Sequence, residues 1–362
     1  MEAIMPLDDE RCIDNSTKQR SHARRACYDP VQARSNLRLL TNTHVDEILF
    51  KNRSTLAASG VKYTSNADSL TTSVLAKKEV ILAAGGVFTP HLLMLSGIGS
   101  KDELSAAGIA VKKDLPAELY AANRTGPWTF GRGNAALFLA FKDSSTKYID
   151  ITALISEQNA TAYLPQRYSK IATLLNGFMA QRKILIEHYL SDNAATGECP
   201  IQPWGRVTTA VQKPLSRGML TVNTTHPSAN PIVVRNAFQS PVDKLVLGEL
   251  VRWNRKHWTT APLLQRYAPV ETVPGAQYQT DDEMFDASIE AAALDPAYAH
   301  SSGACALMPE ELGGCVDPQL RVYGVQGLRV VDASILPLIP AAHLQVTVYA
   351  VAEKAADIIK GV

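Results

Sequence analysis

A chain of 362 residues with 46% hydrophobic and 20% charged residues can bury a sizeable core, and its length suggests two domains. Thirty-six basic and thirty-five acidic residues leave a net charge of +1, which gives no electrostatic footprint for nucleic acid. No apolar run reaches the length of a spanning helix, and the first thirty residues are polar and basic without a signal-peptide core, so no membrane insertion is expected.

In chain order, residues 1–34 form a polar, basic segment. Residues 37–40 and 45–50 read as adjacent strands, 60–63 and 71–75 as two more, and 79–83 as a buried strand ahead of Gly85 and Gly86. A helix is expected from about Pro90 to Leu95. The two glycines would let the polar groups of a cofactor approach the backbone at this turn, and a tight strand-to-helix connection is the plainer alternative. From about residue 131 the pattern changes. Residues 163–190 read as one long helix with Ile171, Leu174, Leu175 and Phe178 at helical spacing, 219–223 and 231–235 as strands, and 242–257 as an amphipathic helix. Its Trp253, with Trp258 just beyond, reads as a core aromatic rather than a cofactor platform. Residues 327–331 read as a short buried strand ending at Asp332, and 346–359 as a helix with Val346, Tyr349, Ala350 and Ala356 along one face.

Five cysteines, at 12, 27, 199, 305 and 315, lack metal-like spacing, so no metal site is expected. Their odd number leaves at least one thiol unpaired, and Cys305 and Cys315 read as packing residues. Sequons at Asn15, Asn52, Asn123, Asn159 and Asn223 would suit a secreted glycoprotein.

Chemistry concentrates in residues 300–349, where two histidines stand at element ends. His343 precedes the expected C-terminal helix, where the dipole disfavours a protonated imidazole and leaves a neutral ring able to accept a proton. His300 follows an apolar segment and precedes Gly303, which allows a turn. Either histidine alone reads more simply as a hydrogen-bonded structural residue.

The surrounding wording decides otherwise. His300-Ser-Ser-Gly303-Ala-Cys305-Ala-Leu-Met308, Gly313-Gly-Cys-Val-Asp317, Val322-Tyr-Gly-Val325 and Leu328-Arg-Val-Val-Asp332-Ala-Ser334 resemble the C-terminal signature of the glucose-methanol-choline (GMC) flavoprotein oxidoreductases, especially the fungal glucose oxidase and aryl-alcohol oxidase branches. Lys78-Glu-Val-Ile-Leu-Ala-Ala-Gly85-Gly86-Val-Phe-Thr89-Pro90, continuing to Gly97-Ile-Gly99, resembles a second family signature, in the right order. Residues 35–45, Asn123-Arg-Thr-Gly-Pro127 and Arg217-Gly-Met-Leu-Thr-Val222 extend the likeness, which is weakest from about 140 to 200.

The resemblance implies an α/β (α+β) protein: a partial FAD-binding doubly wound domain over 1–130, a substrate-binding domain with an antiparallel sheet flanked by helices over 131–290, and a return to the FAD-binding domain over 291–362. It implies FAD-dependent oxidation of a small-molecule alcohol or polyketide-like substrate. His300 would take the hydroxyl proton, His343 would orient the same oxygen, and the carbon-bound hydrogen would leave as hydride. Asp332 and Ala333 map onto positions that touch the flavin phosphate or ribityl chain, Gln345 onto the segment passing the isoalloxazine, and Val45 onto a residue whose backbone meets the adenine; Gly85 and Gly86 join them as cofactor-binding candidates.

Two departures from the family pattern matter. No G-x-G-x-x-G occurs: Gly97-Ile-Gly99 continues to Asp102 and Gly131-Arg-Gly133 to Ala136. After Asp114-Leu-Pro116 the chain runs into Ala117-Glu-Leu-Tyr120 where the family continues with a flavin-enclosing segment. FAD is therefore expected to bind weakly or not at all, and the likeness reads as that of an N-terminally truncated member. Two other readings follow: a flavin-independent or non-redox enzyme of fungal secondary metabolism, such as a cyclase or dehydratase using the histidines as acid and base, or an inactive truncated homologue. Loss of a βαβ unit would also expose the edge of the sheet near 79–83, so self-association through that edge is expected.

Overall fold

The computed structural model of the chain describes residues 23–51, 56–114, 135–201, 206–261, 268–296 and 300–361. A three-stranded antiparallel sheet comes first, with β1 (Thr43–Phe50), β2 (Ala58–Ser65) and β3 (Thr71–Leu75) in sequential order. Its register sets Val61 against Val74 and Thr64 against Thr71, β-branched cross-strand pairs of the kind that stabilise a pleated surface. The strand expected at 37–40 does not form. Asn42, at a φ of 54°, breaks the extended backbone before β1, and Leu37, Leu39 and Leu40 stay exposed.

β4 (Val80–Leu82) leads into helix α1 (Gly85–Leu95). α1 begins five residues earlier than expected, because a positive φ at Gly85 lets the chain turn directly off the strand, and Pro90 inside it forfeits only one helical hydrogen bond. β5 (Ile98–Gly99), α2 (Lys101–Ala106) and β6 (Lys113–Asp114) follow as a small parallel unit. β7 (Ala135–Ala140) opens the second half, followed by the helices α3 (Phe141–Ser144), α4 (Tyr148–Glu157), α5 (Arg167–Lys170) and α6 (Ala172–Leu190). The helix expected over 163–190 is thus broken: Ile171 is extended, at φ −120° and ψ 102°. The break serves packing, since Tyr163 and Tyr168 both meet the ring of Phe178 edge-on, at 6.2 and 6.1 Å between centroids.

β8 (Ala195–Ile201) and β9 (Ala210–Val211) join β7 in an antiparallel sheet of order β7-β8-β9, and β10 (Met219–Thr221) pairs with β11 (Ile232–Val234). α7 (Pro241–Thr260) packs Val242, Val246 and Leu250 into a core with Phe141, Phe178 and Tyr189, and Trp253 lies against the same core. α8 (Asp281–Glu290) is closed by a capping box between Thr280 and Glu283. β12 (Leu328–Val330) then returns to pair in parallel with β4, and the chain ends in α9 (Leu344–Lys360).

This long-range pairing closes another core around Ile48, Val80, Leu82, Leu328, Val330 and Ile335. Two expectations change here. β4 is buried on one face only, with Ile81 46% exposed. α9 turns inward a stripe of Leu344, Val351, Ala355 and Ile358, while Val346 is 64% exposed. Both stripes have helical spacing; the chosen one packs against the core that β4 and β12 close.

Cys305 and Cys315, read from the sequence as packing residues, form a disulfide in which both are fully buried. It closes a loop with a sequence separation of 10. Cys305→Ala/Cys315→Ala is expected to lower stability by about 2–3 kcal/mol in urea unfolding, the order set by loop-closure entropy for so short a loop. An unchanged midpoint would show that packing alone holds this segment. No helix among the described residues is long and apolar enough to cross a membrane, and none of their His, Cys, Asp and Glu side chains form a group of three placed to hold a metal.

Candidate active site

The site is assembled by one buried carboxylate. Asp332 stands at the end of β12, and Oδ2 accepts from the backbone N–H of Gly85 at 2.8 Å and from the Thr89 hydroxyl at 2.7 Å. Its Oδ1 accepts from the N–H of Ser334 at 2.8 Å and the Ser334 hydroxyl at 2.5 Å. Four donors saturate a carboxylate only 5% exposed. The side chain assigned by resemblance to the flavin therefore fastens α1 to the end of β12, with both its oxygens already taken by protein donors.

The segment carrying His300 is zipped onto the turn that follows. Gly303 N–H donates to the Ala333 carbonyl at 3.2 Å, Cys305 to Ser334 at 2.8 Å and Leu307 to Ile335 at 2.8 Å. Gly86 allows this approach: a β-carbon there would lie 2.7 Å from the Ser301 carbonyl oxygen. At Gly86, then, close packing explains the glycine. Gly85 is different, because its positive φ leaves the place of a β-carbon with nothing within 4 Å.

His343 is the N-cap residue of α9, as its expected place before the helix implies. The structure brings its ring to 5.7 Å from that of His300, centroid to centroid, with the planes tilted by 39°. An oxygen atom between the rings could hydrogen-bond a nitrogen of each. Behind the pair stands Glu198 of β8, fully buried, with Oε1 2.7 Å from His343 Nε2 and Oε2 accepting from the Gln212 side-chain amide. An ionised Glu198 has only acceptors to offer, and in that state it would place a proton on Nε2 and set the tautomer of His343; in either state the contact orients the ring. This carboxylate contact on the His343 ring is a feature that sequence reasoning missed. Only the run Thr-Gly-Glu198-Cys-Pro, with a charge inside an otherwise uncharged strand, hints at it. Phe138 of β7 lies edge-on to His343 at 6.4 Å and gives the pair an apolar neighbour.

The remaining candidates are placed as follows. Val45 stands on β1 opposite Tyr63, Ala333 is half-buried at the zipped turn, and Gln345 is exposed in the first turn of α9. The Asn123-Arg-Thr-Gly-Pro127 motif, residues 117–120 and the Gly131-Arg-Gly133 sequence lie outside the described residues.

Comparison with known proteins identifies the family of the chain. Two family models described as GMC oxidoreductase match the chain, one over residues 10–116 and the other over 214–352. Dehydrogenase xptC of Emericella nidulans is 31% identical, over 96% of this chain and 62% of its own length. The GMC oxidoreductase family protein Mala s 12 of Malassezia sympodialis is 32% identical, over 96% and 60%. Among solved structures, an FAD-dependent oxidoreductase from Chaetomium thermophilum superposes with a TM-score of 0.84 at 30% identity, covering 96% of this chain and 66% of that one. A fungal aryl-alcohol oxidase gives 0.83 at 31%, covering 94% and 64%. The chain belongs to the GMC oxidoreductase family, and its mixed helix and sheet architecture is that of these α/β flavoenzymes. It spans about three fifths of the length of the curated relatives it matches.

Proposed function

We propose that the chain serves FAD-dependent oxidation of a small-molecule alcohol, with His300 as the base and His343 as its partner. The observation that carries this reading is the 5.7 Å approach of the two imidazoles, one of them held from behind by a buried glutamate. An alcohol oxygen seated between the rings would give its proton to His300 while His343 holds its direction. When bound, FAD would supply the hydride acceptor for the hydrogen on the alcohol carbon. Gly85, Gly86, the backbone at Asp332 and Ala333, Gln345 and Val45 would form its wall. The proposed organisation is a flavin-binding part over 1–130 and 291–362 and a substrate-binding part over 131–290, which contributes Glu198, Gln212 and Phe138. A polyketide-like alcohol and self-association through the half-covered β4 region belong to the same proposal. The buried disulfide and an exposed sequon at Asn159 support folding in an oxidising compartment.

The family membership of the chain favours this reading over non-redox acid–base catalysis. The glycine hexapeptide that usually cradles the pyrophosphate does not occur within these 362 residues, so flavin is supplied in excess. The test is therefore made with the protein in excess FAD under anaerobic conditions, against a panel of primary aliphatic and aryl alcohols. Bleaching of the visible flavin band on addition of alcohol is expected. Demonstrated flavin binding with no bleaching by any alcohol would overturn the proposal.

A further inference from the structure

We infer that Lys213 is a positioning residue for His343, acting on the backbone strap that carries it. The strap runs from the turn at Ala333–Ile335 to His343 as Leu336-Pro-Leu-Ile-Pro-Ala-Ala342. Pro337 and Pro340 have no N–H to donate, so the strap is poor in hydrogen bonds of its own. Lys213 Nζ donates to the Ile339 carbonyl, four residues before His343. The neighbouring Gln212 holds the Glu198 carboxylate that in turn binds the His343 ring. Two consecutive residues thus grip the same strap at two points, one on its backbone and one, through Glu198, on the imidazole.

The anchor behind this grip is rigid. Gln212 N–H donates to the Thr196 carbonyl at 2.8 Å, and the hydroxyl of the fully buried Tyr189 donates to the Lys213 carbonyl at 3.0 Å. Of the strap side chains, Leu336 packs against one hydrophobic core and Leu338 against another, so what remains to be held is the backbone between them and His343. A cavity lies between the strap, the Lys213 segment and the residues that follow His300, lined by Lys213, Pro214, Ser302, Gly303, Leu336 and Leu338. A strap beside empty space can shift unless something tethers it, and Lys213 is the tether.

Lys213 is only 6% exposed, and burial pushes its ammonium down to about 8. The ionisable groups around it are His188 on α6, whose own proton affinity is lowered by burial and by Lys213, with Glu187 beside it. Glu198 on β8 and the Arg217–Asp243 pair on the neighbouring segment and α7 complete the set, and residues 336–342 carry no charge. Charge on Lys213 should therefore be felt at His343 through the strap and through Glu198.

The inference rests on the reading of His300 and His343 as the reacting pair, and its test needs neither flavin nor turnover. The protein is labelled with ¹³C at histidine Cε1 and titrated by NMR as wild type, Lys213→Met and Lys213→Arg, with the His343 resonance assigned by its loss in His343→Asn. Lys213→Met is expected to move the His343 midpoint by about half a pH unit or more, Lys213→Arg to restore it, and the exposed His226 to stay unchanged in both. An unmoved His343 midpoint in folded Lys213→Met overturns the inference. Should Lys213→Met fail to fold, the wild type decides: a second inflection near pH 8 in the His343 signal supports the tether, and a single-step titration overturns it. If His343 responds to Lys213 but no alcohol bleaches the flavin, the proposed reaction fails and the tether stands.

Discussion

Asp332→Ala is expected to lower stability by about 4 kcal/mol, a large share of the 5–15 kcal/mol that typically separates folded from unfolded chains. The substitution strands four donors, two of them backbone N–H groups, at a site only 5% exposed. Each buried donor left without an acceptor costs about 1–3 kcal/mol, and the loss is tempered where Thr89 and Ser334 can turn their hydroxyls elsewhere. Unfolding in urea measures it, with a drop in melting temperature of roughly 10 °C in calorimetry as the companion result. Asp332→Asn should fall between, since an amide keeps one acceptor but presents N–H groups to N–H groups. A wild-type midpoint in Asp332→Ala would mean that the β12 to α1 junction is held by apolar packing alone. The same variant should loosen the histidine pair, because the segment carrying His300 is bonded to Ala333, Ser334 and Ile335.

His300→Ala is expected to slow flavin reduction by alcohol about 10²–10⁴-fold, the usual range for loss of a general base. His343→Ala should cost less, because its proposed task is to orient an oxygen rather than to receive the proton. Glu198 takes up Nε2 of His343, which orients the ring and leaves Nδ1 as the nitrogen able to face a substrate oxygen. Rates measured in protein saturated with FAD, with circular dichroism confirming the fold, separate the two roles. Equal losses on the two substitutions would show an interchangeable pair and sink the assignment.

Periodicity and turn chemistry made most elements legible. Strands at 71–75 and 45–50 and the helix following Ser240 are written in β-branched runs and 3.6-residue spacing that local physics alone enforces. The break at Ile171 was not, because it answers to the ring of Phe178 and leaves no mark in the helical spacing. The choice of inward face on α9 was equally hidden, since Leu344 and Val346 both begin plausible stripes and only the assembled core selects between them.

The two histidines could be named from their motifs, and the position of His343 ahead of a helix follows from the pattern of the last seventeen helical residues. Their meeting could not be read, because it depends on Asp332 reaching back 247 residues to Gly85 and on Glu198 reaching 145 residues forward to His343. Nor could the function of Asp332 itself: a motif reports which residue stands at a position, whereas its hydrogen-bond partners are set by what the fold brings beside it. By itself the sequence determined the family, most of the local elements and the two candidate histidines, since each is encoded in residues that are neighbours along the chain. The disulfide, the Glu198–His343 contact, the tether from Lys213 and the buried saturation of Asp332 were decided only by tertiary structure, because their energies come from desolvated contacts between segments that local pattern cannot join.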